Sequence, residues 1–131
     1  MTGLLIVLGS LAGGGGAVLR MLVDDAVRSR TGGSFPWGII VVNVSGSLVL
    51  GFVTGAAYGS PFGAGVLTVL GAGLLGGYTT FSTASHDTVR LARAGRIGAA
   101  FLHAGGQLVA CITAAGIGVE LGRMLGRVLT G

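Results

Sequence analysis

The chain has no lysine: all eight of its basic residues are arginines, set against only Asp24, Asp25, Asp87 and Glu120. Charged residues make up 9% of its 131 residues, against about a quarter in soluble domains. It has one cysteine and two prolines. The lone Cys111, embedded in an apolar run, excludes an intrachain disulfide and reads as a small buried hydrophobe. No His/Cys/Asp/Glu cluster has metal-ligand spacing, no nucleophile stands beside a base, and the glycine tract at residues 13–16 lacks the Lys-Ser/Thr of a phosphate loop. Catalysis is therefore not expected. Basic residues are not interleaved with aromatics and sit at the ends of apolar runs, which argues against a nucleic-acid partner.

What the chain has in quantity is apolar surface and glycine. It is 51% hydrophobic with 28 glycines, and its mean hydropathy is +0.88. This is the composition of an all-α integral membrane protein in contact with the lipid bilayer, and the length allows about four spans of roughly 20 residues. We place them at about residues 3–23, 37–57, 66–91 and 97–119, in a single transmembrane domain covering residues 1–131. The N-terminus lacks the basic start of a secretory signal, and Leu4 to Leu11 reads as part of span one although Ala12-Gly13 resembles a cleavage site.

Span one carries Gly13-Gly14-Gly15-Gly16, unfavourable on helix propensity alone, so its smooth surface is expected to let another backbone approach. Arg20 near its end snorkels to the interface or neutralises a helix C-terminus, or else draws anions into a vestibule. Asp24, Asp25, Arg28 and Arg30 read as a helix end followed by a loop. Pro36 suits the first turn of the next helix, and Phe35 and Trp37 suit an interfacial aromatic belt. No charged residue occurs from Thr31 to Ser85, room for two spans divided by a hairpin at residues 58–63.

Span two contains a lone Asn43, which is either interhelical glue or a pore donor to an anion; Gly46 and Gly51 read as packing positions. His86, where span three leaves the membrane, reads as a pH switch or, beside Asp87, more simply as an interfacial polar residue. Span four holds His103, Gln107, Cys111 and Thr113, with the Gln and Thr sharing a face only loosely. Arg28, Arg30, Arg90, Arg93 and Arg96 flank the turns after spans one and three, against Arg123 and Arg127 on the other side. The positive-inside rule then puts those turns in the cytoplasm and both termini outside, with a bias weak enough for insertion in both orientations.

No span has a central Asp or Glu, so a small proton-coupled exporter lacks its carrier. The most unusual stretch is Gly76-Gly77-Tyr78-Thr79-Thr80-Phe81-Ser82-Thr83-Ala84-Ser85. Two glycines, each weakening a helix by roughly 1 kcal/mol relative to alanine, precede two β-branched threonines, and the third helix is expected to break near residues 76–80. In lipid such a break needs polar company. Freed carbonyls suit a cation and freed hydroxyls suit an anion, whereas the plainer reading is a Gly/Ser/Thr packing face.

Gly76 to Thr83, the Asn43-Val44-Ser45-Gly46 string and the glycine-rich first span ending in Arg20 together resemble the small bacterial fluoride channels, the Fluc or CrcB family, over all four spans in order. The resemblance implies an antiparallel, dual-topology dimer in the cell membrane with two pores that let toxic fluoride leave passively. It also implies a structural sodium ion held by backbone carbonyls of Gly76 and Thr79, Asn43 in the pore, and Phe81 as the first of two phenylalanines facing the anion, with Ser82 and Thr83 continuing the path. The chain departs from the family pattern at Ala84, where the second phenylalanine usually stands, at Ile39 in place of a threonine, and at Ala110-Cys111 in place of Gly-Ser. A paired-subunit variant, in which a paralogous partner completes a heterodimer, and a non-conducting structural or regulatory subunit are the alternatives to a conducting homodimer.

Overall fold

A computed structural model of the chain describes residues 2–58, 60 and 63–130. The fold is all-helical, with four helical runs long and apolar enough to cross a membrane. In chain order they are α1 (Thr2–Thr31); α2 (Trp37–Ala57); a third run made of α3 (Gly63–Val66), a π-helical stretch (Leu67–Leu75), α4 (Gly76–Tyr78) and α5 (Ser82–Arg93); and a fourth made of α6 (Ile97–Phe101), a second π-helical stretch (Leu102–Gly106) and α7 (Gln107–Thr130).

Span two has the expected limits. The others are longer. In α1 the acidic and basic residues expected to end the helix instead continue it to Thr31, because no Gly or Pro occurs between Val23 and Gly32 and Arg28 pairs with Asp24 at i,i+4, 3.4 Å apart. At 1.5 Å per residue α1 is about 45 Å long, more than a hydrocarbon core needs, which leaves its charged end beyond the apolar layer. Gly32 and Gly33, at φ 76° and 72°, then take the left-handed backbone that stops it. Pro36 caps α2 from just outside and is not in its first turn. Of the hairpin expected at residues 58–63, Gly59, Pro61 and Phe62 lie outside the described residues. α7 likewise runs past the expected end at Val119: no Pro follows, and Gly122 and Gly126 are accommodated within the helix.

The glycines place the spans. A Cβ on Gly73 would come within 2.6 Å of the Gly9 carbonyl, one on Gly77 would overlap Gly13, and one on Gly16 would overlap the Leu74 carbonyl and come within 2.9 Å of the Tyr78 nitrogen. The first and third runs thus pack backbone against backbone, as expected of the glycine tract. Both sets of contacts ascend together, so the two runs are parallel. α2 and α7 do the same: Gly51 meets Ala115, Gly55 meets Val119, Gly118 meets Leu48 and Gly122 meets Phe52. Gly46 packs against Thr79 and Tyr78. Two parallel pairs, odd with odd and even with even, give an up-down-up-down bundle.

At one end the Arg96 guanidinium donates to the Ser34 carbonyl and ties the turn after the third run to the turn after α1. Between the pairs, Val42, Leu75 and Tyr78 form a small core with Val23 against it. Much of the outer apolar surface, Leu4, Leu11 and Met21 of α1 and Phe101 of α6 among it, is exposed, as suits a chain whose solvent is lipid.

Gly16→Val should force α1 away from the third run and lower stability by about 1–3 kcal/mol. Gly14→Ala, at a position with nothing within 4 Å of a Cβ, should raise stability by up to about 1 kcal/mol. Thermal unfolding of the purified protein in detergent separates the two.

Candidate functional site

A carboxamide in an apolar helix must find partners, because an unpaired amide in a low-dielectric interior is strongly disfavoured. Asn43, buried on α2, finds them on a backbone. Its Nδ2 donates to the Thr80 carbonyl at 2.8 Å, and its Oδ1 accepts from the Thr80 N–H at 2.8 Å. The side chain thus pairs with Thr80 as one peptide group pairs with another, and one Nδ2 hydrogen remains.

That pairing is possible only where the helix of the third run does not use Thr80. The helical backbone stops at Tyr78, Thr79 is extended at φ −78°, ψ 158°, and helix resumes at Ser82. The glycines named as the weak point, Gly76 and Gly77, are helical; the non-helical residues are 79–81, just after them. The last helical bond before the gap is Thr79 N–H to the Leu75 carbonyl, 2.9 Å. Thr80 Oγ1 accepts from the Thr83 N–H at 3.2 Å and lies 3.1 Å from Thr83 Oγ1 and 3.3 Å from Ser82 Oγ. The threonine, two residues ahead of α5, therefore caps its first turn.

Two carbonyls lose their usual donors as a result. In a continuous α-helix the Thr80 N–H would serve Gly76 and the Thr83 N–H would serve Thr79. Here the first goes to Asn43 and the second to Thr80 Oγ1. Carbonyl oxygens released in this way are hard, neutral ligands of the kind that suit a monovalent cation. On donor chemistry, Gly76 and Thr79 fit such an ion.

Asn43, Gly76, Thr79, Thr80, Phe81 and Ala84 share the wall of one cleft of about 830 Å³ with residues of the fourth run, Cys111 among them. No charged side chain lines it. Phe81 on this wall is 88% exposed, which leaves a large aromatic without cover in the single chain. Ala84 is buried beside it, and Ile39 is buried in α2.

Cys111 is only half-buried, because it faces this cleft rather than a packed core. Ser82 and Thr83 stand next to Thr80 but outside the cleft wall. Arg20 is half-buried on α1, also away from the cleft, with no ion pair among the described residues. His86 is exposed in the first half of α5, 3.8 Å from the buried Asp87. Thr113 bonds its own helix at Val109, 2.9 Å, and is exposed, so it does not share the cleft with Gln107.

Two residues of importance here were not singled out by sequence reasoning. Thr80 is the hub of the interruption; the signal was the lone Asn43, whose two-sided amide calls for a partner offering both a donor and an acceptor. Tyr78 is the other: its Oη lies 3.0 Å from Ser45 Oγ, holding the last turn before the gap against α2.

Comparison with known proteins bears on this arrangement. Residues 5–119 match the model of a family described as CrcB-like protein, Camphor Resistance (CrcB). A protein of Leifsonia xyli subsp. xyli named fluoride-specific ion channel FluC 1 is 46% identical over 122 residues, 93% of this chain and 89% of that protein. One of Cutibacterium acnes named fluoride-specific ion channel FluC 2 is 46% identical over 86% of this chain and 92% of its own length. A third, fluoride-specific ion channel FluC of Novosphingobium aromaticivorans, is 40% identical over 87% and 92% respectively.

Asn43→Ala should orphan both the N–H and the carbonyl of Thr80, at about 1–3 kcal/mol for each buried group. Asn43→Asp keeps the acceptor, loses the donor and brings a charge. Both variants should unfold earlier than Ser47→Ala in a detergent melt.

Proposed function

The chain belongs to the CrcB-like family, and we propose that it is a multi-pass membrane subunit of a fluoride-selective channel giving passive export of fluoride from the cell. The observation that carries the reading is the uncharged cleft in which Asn43, Thr80 and Phe81 stand together beside an interruption of the third run. The relatives' names supply the ion. A small, strongly hydrated anion gives up water only to donors, and amide, hydroxyl and aromatic ring-edge hydrogens provide them without trapping the ion as a fixed charge would. A cation path would favour rings of carboxylates, which this cleft lacks.

In this reading Asn43 offers its remaining Nδ2 hydrogen, Phe81 its ring edge, and Ser82 and Thr83 the hydroxyls that continue the path. The third run is a discontinuous membrane helix. Two chains associate antiparallel, covering the exposed Phe81, and the Gly76 and Thr79 carbonyls of both would hold a sodium ion. That ion, when bound, supplies a positive charge that fixes the interrupted backbones. Arg20 draws anions towards the entrance. The membrane is the cell membrane, with the arginine-rich turns cytoplasmic and both termini outside, or with both orientations present.

A second reading has a specific observation behind it. Ala84 is buried against the cleft with no ring to offer, and Cys111 faces the same space. A paralogous partner of opposite charge bias would complete the path in a heterodimer. Without such a partner the chain would be a non-conducting subunit.

Purified alone in liposomes, the protein should discharge a fluoride gradient while holding a chloride gradient. Absence of fluoride flux alone and with any paralogue would overturn the channel, and flux restored only by the partner would establish the heterodimer. Replacing sodium by a larger monovalent cation should lower dimer stability measured by subunit exchange; an unchanged exchange rate would remove the cation from Gly76 and Thr79.

A further inference from the structure

Residues 79 and 80 leave one polar group over. The Thr79 N–H and Oγ1 both reach the Leu75 carbonyl at 2.9 Å, and the Thr79 methyl lies against Gly46, where an added Cβ would overlap it. Thr80 uses its N–H and carbonyl on Asn43 and its hydroxyl at the start of α5. The Thr79 carbonyl alone has no donor among the described residues.

Its direction is fixed from α2. No described peptide bond is cis, and in a trans peptide the C=O and N–H point in opposite directions. The Thr79 carbonyl and the Thr80 N–H belong to one peptide. Because that N–H points at Asn43 Oδ1, 2.8 Å away, the carbonyl points away from Asn43.

The carboxamide repeats the arrangement. Its bonds to the N–H and the carbonyl of the same residue close a ring, which uses the Nδ2 hydrogen on the Oδ1 side. The remaining hydrogen is then the one opposed to Oδ1, like the N–H of a trans peptide. Two amides thus stand head to tail, running from the Thr79 carbonyl through the Thr80 N–H and Asn43 Oδ1 to the second Nδ2 hydrogen. The row begins in an unpartnered acceptor and ends in an unpartnered donor, and Thr79, Thr80 and Asn43 all line the uncharged cleft. Amide dipoles aligned through a hydrogen bond polarise one another, most strongly where the dielectric is low.

We propose that the Thr79–Thr80 peptide and Asn43 form a relay through which a cation on the Thr79 carbonyl and fluoride at Asn43 each raise the other's affinity. The relay rests on the channel reading and deepens it. Asn43 becomes the stronger donor when the acceptor end of the row is occupied, and no fixed charge enters the anion path. Linkage makes the effect reciprocal.

The full chain in detergent is titrated with sodium against a background of a large organic cation, once with fluoride and once with chloride as the anion. Sodium binding is read from the thermal midpoint. Fluoride should lower the half-saturating sodium concentration by about fivefold or more. Replacing Thr80 by its α-hydroxy acid turns the Thr79–Thr80 amide into an ester and removes that single N–H; it should cancel the difference between the anions. Attraction between the ions through space needs no N–H, so a fluoride effect that persists in the ester overturns the relay.

Asn43 is the chain's only asparagine, so asparagine isotopically labelled at the side-chain nitrogen gives one carboxamide signal in the unmodified protein, whether or not the ester folds. That signal should shift with sodium, at a midpoint that fluoride lowers by the same factor; a signal indifferent to sodium overturns the relay. Equal sodium midpoints in fluoride and chloride, with fluoride flux intact in liposomes, overturn the relay and leave the channel. Absence of flux, with the two anions still distinguished through the Thr80 N–H, would overturn the channel and leave the relay standing.

Discussion

The two hydrogen bonds between the Asn43 carboxamide and the backbone of Thr80 are the constraint on which the rest depends. In lipid a helix cannot release its peptide groups unless something replaces their partners. Asn43 does this with one side chain, because a carboxamide offers a donor and an acceptor in nearly the geometry of a peptide. Once Thr80 is held by α2, its N–H is unavailable to Gly76, its hydroxyl is free to cap Ser82–Arg93, and Thr79 takes an extended backbone. The interruption is thus stabilised from α2 and does not follow simply from weak helix formers.

That arrangement demands a rigid frame, and glycine provides it. Lipid tails give apolar helices no hydrophobic reason to associate, so close approach and dispersion must hold them. The contacts of Gly16, Gly73 and Gly77 between the first and third runs, and of Gly51, Gly55, Gly118 and Gly122 between α2 and α7, leave no room for a single added carbon. Helix propensity is given up for contact. Because the two parallel pairs are fixed along their lengths, the short gap at residues 79–81 is presented to α2 in one register only.

The cleft beside the gap combines donors from three runs with an absence of fixed charge. Ala84 and Cys111 give its wall neither a ring nor a hydroxyl, while His103 and Gln107 enlarge its polar part on the fourth run. Ile39 is simply core, 2% exposed beside Val42, and takes no part in the cleft wall.

Much of this was written in the chain. Hydropathy and the scarcity of charge determine four apolar helices, since only helices of that length satisfy their backbones in a bilayer. The glycine tract forecasts close packing, and the string from Gly76 to Ser85 together with Asn43 marks the family. Helix ends at Thr31 and beyond Val119 were not legible, because charged residues at a membrane boundary end an apolar run without ending a helix. Tertiary structure alone decided that Gly76 and Gly77 stay helical while residues 79–81 do not. It also decided that Thr80 answers Asn43, and that His103 and Cys111 face the same cleft as Phe81. Each of these is a pairing between segments far apart in the chain, and local propensity carries no information about which distant backbone a buried amide will meet.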